Sequence, residues 1–504
     1  IGDGALTGGL AYEGLSNGGQ YRGQLLVILN DNGMSIAQNV GAVAQHLASQ
    51  RLKPQYLSFK QGYRKVMGSF WLGRKLYRVT HSVKKALKQS ILPCSMFENM
   101  GFTYLGPVDG HDVAYLTKIL RYAVSLKEPV LLHVRTVKGK GFAPAERNPD
   151  AFHGVSPFHP ETGEPKKASG ENFSSVFGRT MVRLARNDPR ICALTAAMVG
   201  GTGLESFAQA YPGRFYDVGI AEGCAVSMAA GMAKQGAVPV FAVYSTFLQR
   251  SYDMLLHDMA IDHLHVVLAV DRAGLVGEDG ETHQGIFDIS FLSLVPGMSI
   301  MAPKNLWELE RMLEFGVGFD GPLAVRYPRG QAYRGLSEFD APVEYGKAEM
   351  LFEEKDIALF ALGSMVSTGE HVREKLKARG YSCTLVNARF VKPLDTDMID
   401  RLGRSHKLIV TLEENVLRGG MGMCATRYIH EHHPESHVIQ VALPDAYVEH
   451  GNVSLLREML GIDSDSVIKR IFAEYLDPYD SHGNMKIQNS FDCPNSTEKE
   501  RQDP

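Results

Sequence analysis

Short runs of consecutive apolar residues alternate with stretches of helical periodicity along most of the chain. Strands that are buried on both faces of a parallel sheet read as continuous apolar runs, because neither face meets water. In the first region, which extends to about residue 140, the clearest runs are residues 25–29 and 130–134. The pattern predicts a helix between successive strands, as in doubly wound α/β domains.

The same alternation continues in two further regions, and it is clearer there. In the second region the predicted strands are residues 191–194, 239–244, 266–270, 299–301 and 323–327, with a helix over 306–315. In the third region they are residues 357–362, 382–386, 408–412 and 438–441. We therefore predict three doubly wound α/β domains over residues 1–170, 171–343 and 344–478. The proline-rich stretch 139–170 is predicted as a linker, and the polar stretch 479–504 as a disordered tail.

Length, charge and composition narrow the class of protein. A chain of 504 residues accommodates about three domains. The formal net charge is −3, so no global field attracts nucleic acid or an anionic membrane. No apolar run approaches the ~18 residues that a membrane span requires, and the six cysteines lack zinc-site spacing. Glycine is in excess at 51 residues, which indicates tight turns and close backbone approaches to ligands.

One local charge anomaly lies between residues 51 and 90. This segment is rich in lysine and arginine and contains no aspartate or glutamate. A nucleic-acid or phosphate surface is one interpretation. A solvated segment beside an anionic-substrate site is the interpretation we favour, because the rest of the chain carries no nucleic-acid motif.

Two polar motifs in the first region have the spacing of neighbouring strand ends. Gly2-Asp3-Gly4-Ala5 and Asn30-Asp31-Asn32 are separated by enough chain for one helix and one strand. A carboxylate, an amide oxygen and a nearby backbone carbonyl suit Mg²⁺ holding a diphosphate. Each motif alone is more often a plain turn than a metal site. Because the two motifs occur at this separation, we weigh a plain turn and a metal site about equally.

Three motifs follow predicted strands in the second region. Glu222 precedes a helix rich in small residues, where it is either a proton partner for a ring nitrogen or an acid that favours the helix dipole. Tyr244 ends a strand, where an aromatic ring either stacks on a heterocycle or packs in the core. Arg272 and Arg329 each follow a strand, and two such arginines favour an anion site over plain surface charge.

Together these motifs resemble the transketolase-like thiamine diphosphate enzymes, in the branch that makes 1-deoxy-D-xylulose 5-phosphate. The resemblance runs from residue 1 to about 478. It includes the stretches 106–112, 244–250, 271–285, 327–330, 390–395 and 443–445. Each stretch alone is a weak signal, but their order over three successive domains is specific.

The resemblance implies a transferase that uses thiamine diphosphate and Mg²⁺. Asp3, Asn32 and the carbonyl of Met34 would bind the metal, and the backbone of Gly4 and Ala5 would lie beside the diphosphate together with Lys138 and the turn 139–141. Glu222 would hydrogen-bond the pyrimidine ring of the cofactor and Phe247 would stack on it.

The implied reaction condenses pyruvate with D-glyceraldehyde 3-phosphate and releases CO₂, for isoprenoid and thiamine biosynthesis. Tyr244, Arg272 and Arg329 would hold the acceptor's phosphate. The residues expected to face the reacting carbons as proton carriers or hydroxyl anchors are His153, Asp279 and His283. The resemblance also implies a homodimer in the bacterial cytoplasm or in a plastid. We expect neither nucleic acid nor a membrane as a partner.

The sequence departs from the family pattern in two places. The family carries a further stretch ahead of Gly2, so this chain is expected to be N-terminally truncated. Gly223 and Cys224 stand where the family has Gln-His, which removes two polar side chains. Two alternatives therefore remain: another transketolase-type or E1-type enzyme, and a non-catalytic homologue that acts as a subunit or a partner.

Overall fold

The computed structural model describes residues 1–34, 95–155, 157–166 and 170–476. The basic segment at 51–90 and the predicted tail lie outside the described residues. Two compact units divide the chain. The first contains Ile1–Ser169, Leu194–Gly201 and Phe215–Ala225, and the second contains Gly170–Ala193, Thr202–Arg214 and the chain from Val226 onward.

The first unit is built on a parallel three-stranded sheet in the order β1-β3-β2. Its strands are β1 (Leu25–Asp31), β2 (Thr103–Asp109) and β3 (Pro129–Arg135). A short 3₁₀ turn spans Asp3–Thr7, and the helices are α1 (Gly9–Gly19), α2 (Ser95–Asn99), α3 (Val113–Ser125) and α4 (Ala143–Arg147). The central strand β3 is buried over six of its seven residues, which explains why it is apolar apart from His133 and the exposed Arg135.

Side chains on the two faces of this sheet form two separate apolar clusters. One face packs Leu29 and Leu131 against Phe97 and Phe102. The opposite face packs Leu132 and Val134 beneath the apolar face of α3. Asp112 caps α3 by accepting a hydrogen bond from the Tyr115 N–H at 3.0 Å, which satisfies one otherwise unpaired donor of the first turn. Part of the stretch predicted as a linker is ordered, since α4 lies in it.

The chain from residue 170 to 343 continues the alternation. Its helices are α5 (Phe173–Asn187), α6 (Glu205–Ala210), α7 (Glu222–Lys234), α8 (Ser245–Leu248), α9 (Tyr252–Met254), α10 (Asp288–Ser293) and α11 (Leu306–Gly318), with a π-helical turn at Leu255–Ala260. Its strands are β4 (Ile191–Thr195), β5 (Phe215–Asp217), β6 (Val238–Tyr244), β7 (Val267–Asp271), β8 (Ser299–Met301) and β9 (Leu323–Arg326). Asn172 begins α5 with a reciprocal capping box to Ser175.

The remaining chain forms a third sheet and adds one strand to the second. The strands of the third sheet are β10 (Glu349–Phe352), β11 (Ile357–Ala361), β12 (Cys383–Asn387), β14 (Leu408–Val416) and β15 (His437–Leu443), and β13 (Phe390–Lys392) joins the second sheet. Its helices are α12 (Met365–Lys377), α13 (Thr396–Ser405), α14 (Met421–His432), α15 (Val453–Met459) and α16 (Ser464–Ile471), followed by a π-helical turn at Phe472–Leu476.

Strand order within the second unit agrees with the doubly wound prediction. The third sheet runs β10-β12-β11-β14-β15, parallel except for β10. Five strands of the second sheet run β13-β8-β9-β7-β6, in which β13 is antiparallel to β8. The carboxyl ends of β6, β7 and β9 therefore point the same way, and ligands of such folds bind at that edge.

Candidate active site

A parallel bridge between Gly2 and Asn30 places the first residues of the chain beside the end of β1. Asp3 is 4% exposed, and its carboxylate accepts hydrogen bonds from the Gly33 N–H at 2.8 Å and the Asn32 N–H at 3.4 Å. The amide oxygen of Asn32 accepts from the Met34 N–H at 2.9 Å. The structure thus brings together the two motifs that the sequence paired by spacing.

The oxygen atoms of this turn have the chemistry of a magnesium site. Asp3 supplies a carboxylate and Asn32 an amide oxygen, and Met34 carries a backbone carbonyl close by. These are hard ligands that Mg²⁺ prefers, and Mg²⁺ keeps its remaining positions for phosphate and water oxygens. No group of three or more His, Cys, Asp or Glu side chains in the described ranges has the arrangement of a metal centre. The oxygen ligands of Asp3, Asn32 and Met34 fit Mg²⁺ on a diphosphate.

A buried hydrogen-bond chain that sequence reasoning missed supports this turn. His133 is fully buried in β3, and its Nε2 lies 2.9 Å from Oδ2 of Asp31. The hydroxyl of Tyr104 lies 2.7 Å from His133 Nδ1. Since an ionised carboxylate only accepts, in the neutral imidazole Nε2 carries the proton and Nδ1 accepts from the hydroxyl. A histidine within an otherwise apolar strand was the available signal.

Lys138 and His153 meet just after β3. The Nζ of Lys138 lies 2.9 Å from Nδ1 of His153. Burial lowers the pKa of Lys138, and the nearby Asp150 carboxylate partly opposes that shift. The lysine follows directly from the strand that carries His133, and Gly139 and the following residues form the predicted glycine turn.

Glu222 is the first residue of α7 and is 4% exposed. The loop before it is tied to the Asp3–Thr7 turn by a 2.8 Å hydrogen bond from the Ile220 N–H to Thr7 Oγ1. A Cβ at Gly8 would lie 2.7 Å from the Ile220 carbonyl oxygen, so this approach requires glycine. The turn that carries Asp3 and the helix start that carries Glu222 are therefore packed together in the first unit.

In the second unit, the loop that follows β7 begins with an unusual backbone. Arg272 has a φ of 57°, in the left-handed region, and its N–H donates to Oδ1 of Asp271 at 2.7 Å. Gly274 and Gly285 then exchange two backbone hydrogen bonds of 2.6 and 2.8 Å. These bonds close residues 274–285 into a fixed loop at the end of the strand.

The two arginines singled out from the sequence converge on one carboxylate. Arg272 Nη1 lies 2.7 Å from Oδ2 of Asp279, and Arg329 Nη1 lies 2.9 Å from the same oxygen. The Arg272 guanidinium also stacks over the Tyr244 ring at 3.8 Å from its centroid. Asp279 thus occupies the place where two guanidinium groups and an aromatic face converge, an arrangement suited to a phosphate.

Aromatic rings connect this cluster to Phe247 and His283. Phe247 stacks on Tyr244 with centroids 5.8 Å apart, and the His283 ring meets its edge at 5.3 Å. Burial raises the pKa of Tyr244 to about 12, so its hydroxyl stays protonated near neutral pH. Burial also lowers the pKa of His283, Asp279 acts in the opposite direction, and Arg272 and Arg329 lower it further.

Sequence reasoning assigned no role to the buried aspartate at the end of β7. Asp271 is fully buried and accepts a 2.7 Å hydrogen bond from the Ser174 hydroxyl. Burial raises its pKa to about 6, although Ser174 and Arg272 both act to lower it. The hydroxyl of the nearby Tyr327 is buried and makes no hydrogen bond in the described structure. An aspartate that ends an apolar strand was the available signal.

Family models match most of the chain and define its class. Residues 1–136 match the model described as 1-deoxy-D-xylulose-5-phosphate synthase. Residues 170–334 match the transketolase pyrimidine-binding domain, and residues 346–467 match the transketolase C-terminal domain. The chain is thus a transketolase-type α/β protein, as the sequence predicted. The predicted domain boundaries and the roles of individual residues remain predictions.

Curated relatives narrow the class further. The 1-deoxy-D-xylulose-5-phosphate synthase of Lachnoclostridium phytofermentans is 47% identical over 474 residues, which are 94% of this chain and 76% of the relative. The synthase of Pelotomaculum thermopropionicum is 47% identical over 486 residues, with 94% and 75% covered. This chain belongs to the 1-deoxy-D-xylulose-5-phosphate synthase family.

Solved structures agree on the fold. A chain titled "Split gene transketolase, inactive beta4 tetramer" superposes with a TM-score of 0.56 at 26% identity, over 60% of this chain and 97% of that one. The transketolase of Campylobacter jejuni superposes with a TM-score of 0.52 at 17% identity, over 94% of this chain and 76% of that one. No helix in the described part of the chain has the length and apolarity to cross a membrane.

Proposed function

We propose that this protein condenses pyruvate with D-glyceraldehyde 3-phosphate, using thiamine diphosphate and Mg²⁺, to give 1-deoxy-D-xylulose 5-phosphate. A carbon–carbon bond forms between the carbonyl carbon of pyruvate and the aldehyde carbon, and the pyruvate carboxylate leaves as CO₂. Membership of the family supports the reaction. The observation that supports the phosphorylated acceptor is the convergence of Arg272 and Arg329 on a single anionic oxygen.

The first unit supplies the groups for the cofactor's charged end. When bound, thiamine diphosphate supplies the nucleophilic carbon and the electron sink of the reaction. Asp3, Asn32 and the Met34 carbonyl would hold its Mg²⁺, and the backbone of Gly4 and Ala5 would face the diphosphate oxygens. Lys138 would add a positive charge there, since an ammonium group is a strong point charge for phosphate.

Two further side chains would hold the cofactor's pyrimidine ring. Glu222 would accept or share a proton at a ring nitrogen, because a carboxylate at a helix start is held in place by the first turn. Phe247 would stack on the ring face. Both roles follow from the family resemblance, and each rests on one side chain that can be replaced separately.

The second unit supplies the groups for the acceptor. Tyr244, Arg272 and Arg329 would bind the phosphate of D-glyceraldehyde 3-phosphate, and Asp279 would be freed to contact a hydroxyl. His283 has a lowered pKa and is therefore neutral near pH 7, so it can accept a proton or a hydrogen bond from the reacting oxygen. His153, beside Lys138, would act as a second proton carrier.

A turnover assay tests the proposal. Purified protein is incubated with pyruvate, D-glyceraldehyde 3-phosphate, thiamine diphosphate and Mg²⁺, and both CO₂ and the phosphorylated product are measured. We expect equal amounts of the two, and no product without the aldehyde. Transfer of a two-carbon ketol unit from a sugar phosphate would instead favour a transketolase. Cofactor binding without any turnover would favour the non-catalytic homologue suggested by Gly223 and Cys224.

We also propose a homodimer located in the cytoplasm. Small-molecule substrates of central metabolism and bacterial relatives support the location. Sedimentation equilibrium measures the oligomeric state directly, and a monomer at micromolar concentration would contradict the dimer.

A further inference from the structure

Gln284 connects the loop after β7 to a distant part of the chain. The side chain is 2% exposed and directly follows His283. Its Oε1 accepts a 2.8 Å hydrogen bond from the Val276 N–H. Its Nε2 donates to the carbonyl oxygens of Glu449 at 3.1 Å and Val448 at 3.4 Å. One buried amide therefore satisfies backbone groups of two segments that are far apart in sequence.

Glycines allow the loop to lie directly against strand β14 and the segment that follows β15. A Cβ at Gly277 would lie 2.7 Å from the Gly451 carbonyl oxygen, and the Gly451 N–H donates to the Gly277 carbonyl at 3.2 Å. A Cβ at Gly274 would lie 2.4 Å from the carboxylate of Glu414. The loop thus approaches the C-terminal region at close range, Leu275 and Ile286 pack in its apolar core, and Gln284 supplies a buried polar side chain that bridges the contact.

Val276 links this contact to the arginine cluster. Its N–H donates to Gln284, and its carbonyl oxygen accepts a 3.3 Å hydrogen bond from Arg329 Nη1. The same Arg329 nitrogen contacts Asp279 at 2.9 Å. A displacement of Val276 therefore moves an acceptor of the guanidinium that would bind the substrate phosphate.

We infer that Gln284 is a positioning residue. It holds the loop that contains Asp279 and His283 against the transketolase C-terminal region. Through its hydrogen bond with Val276 it also sets the direction of the Arg329 side chain. The C-terminal region holds none of the predicted site residues, and this bridge gives it a role in binding the phosphorylated acceptor. The inference rests on the proposed function for the identity of the substrate, but the bridge itself does not.

Hydrogen–deuterium exchange measures the bridge without any catalysis. Gln284→Leu removes both the acceptor and the donor, so we expect protection of the peptide over residues 273–285 to fall at least tenfold. Gln284→Glu keeps the acceptor for Val276, and its protonated form restores one donor. In that variant we expect protection, corrected for the intrinsic rate, to recover as the pH is lowered.

Asn387→Leu is the matched control. Asn387 is also a buried amide that connects the same two regions, since it donates to Glu308 at 2.9 and 3.0 Å and to Glu349 at 3.3 Å. Within the described part of the chain its side chain makes no hydrogen bond to the loop. We expect this variant to lose global stability. After the protection of residues 273–285 is divided by the protection expected from global unfolding alone, we expect it to change less than twofold.

Binding measurements complete the test. For Gln284→Leu we expect inorganic phosphate to bind about tenfold more weakly by calorimetry, and the KM for D-glyceraldehyde 3-phosphate to rise about tenfold while the KM for pyruvate stays within twofold. Equal loss of loop protection in Gln284→Leu and Asn387→Leu, or unchanged protection in Gln284→Leu, would overturn the inference. Absence of turnover in the wild type would reject the proposed function and leave the exchange result valid.

Discussion

Two strands in different units, each within the parallel part of its own sheet, end in a buried aspartate, and the two carboxylates have different partners. Asp31 at the end of β1 faces the imidazole of His133, whose Nε2 lies 2.9 Å from its carboxylate. Asp271 at the end of β7 faces the hydroxyl of Ser174 and the N–H of Arg272. Burial raises the pKa of Asp271 to about 6, and the Ser174 hydroxyl and the charges of Arg272 and Arg329 offset that shift only in part.

The residues after these aspartates give the two strand ends opposite chemistry. The first presents oxygen atoms of Asp3 and Asn32 and so favours a cation. The second presents the guanidinium groups of Arg272 and Arg329 and so favours an anion. Within each sheet, parallel strands bring the loops that follow them to one edge, whatever the charge of the loop residues. The side chains in those loops then decide which ligand is bound.

The residues at the ends of β1 and β7 also differ in the contacts that they make before a ligand binds. The Asp3 oxygens accept hydrogen bonds from the backbone N–H groups of Asn32 and Gly33. The arginines already contact an internal carboxylate, Asp279. Under the proposed function a substrate phosphate would displace Asp279, which would lower the affinity but reject ligands too weakly charged to compete.

The largest expected effect comes from removing the carboxylate of Asp3, which is a proposed Mg²⁺ ligand in the first unit. Asp3→Ala should weaken Mg²⁺-dependent binding of thiamine diphosphate at least about 100-fold, because the metal loses its single carboxylate from this turn. Isothermal titration calorimetry with and without Mg²⁺ measures the change. The control is Asp112→Ala, which removes the cap of α3 and should cost about 1 kcal/mol of stability without weakening binding. Equal weakening in both variants would show that the site depends on fold stability alone.

The next effect tests the contrast between the two buried aspartates. The pKa of Asp271 in the folded state, about 6, lies above its ordinary value of 3.8, so folding disfavours the charged form. This destabilisation is full above about pH 6 and disappears as the pH falls below the unfolded value. Asp271→Asn should therefore increase the free energy of unfolding by about 1–2 kcal/mol at pH 7.5, and the gain should vanish near pH 4.

Urea denaturation at both pH values measures this difference. The Ser174 hydroxyl can accept from the new amide as readily as it donated to the carboxylate, so the variant keeps its hydrogen bonds. Asp31→Asn is the opposite case and should lose stability, because His133 then faces a neutral amide. A destabilised Asp271→Asn at pH 7.5 would contradict the contrast.

The smallest expected effect concerns the internal anion. Asp279→Asn removes the carboxylate that occupies both arginines, so inorganic phosphate should bind about three- to tenfold more tightly by calorimetry. Arg329→Ala is the reciprocal variant and should weaken phosphate binding. Arg334→Ala is the control, because that exposed arginine pairs with Glu171 instead. Unchanged affinity in Asp279→Asn would mean that Asp279 does not compete with the phosphate.

Much of the fold could be predicted because its central strands are buried on both faces. The runs at 25–29, 130–134, 299–301 and 408–412 all lie within strands of the structure. The strands that pattern reading missed are short or only half-buried, as in β2, which contains Gly106 and Pro107 and has one fully buried residue. Partial burial leaves no continuous apolar run, so pairing with a neighbour, rather than composition, makes such segments strands.

The candidate site was predicted in part, and the missing part has a common cause. Asp3 with Asn32, and Arg272 with Arg329, were found because polar residues that follow apolar runs are visible along the chain. The supporting residues were missed, because their contacts are not visible along the chain: His133 with Asp31, Ser174 with Asp271, and Gln284 with Val276 and the segment after β15. Their importance depends on burial and on which backbone groups they meet.

Sequence alone accounts for the α/β class, for the family and for the types of side chain at the strand ends, because these follow from apolar periodicity and from motifs in order. Tertiary structure decides what those side chains face: an imidazole for Asp31, a hydroxyl for Asp271 and a carboxylate for the arginine pair. Electrostatic and hydrogen-bond energies depend on distance and burial, and both are set by segments that the chain brings together only when it folds.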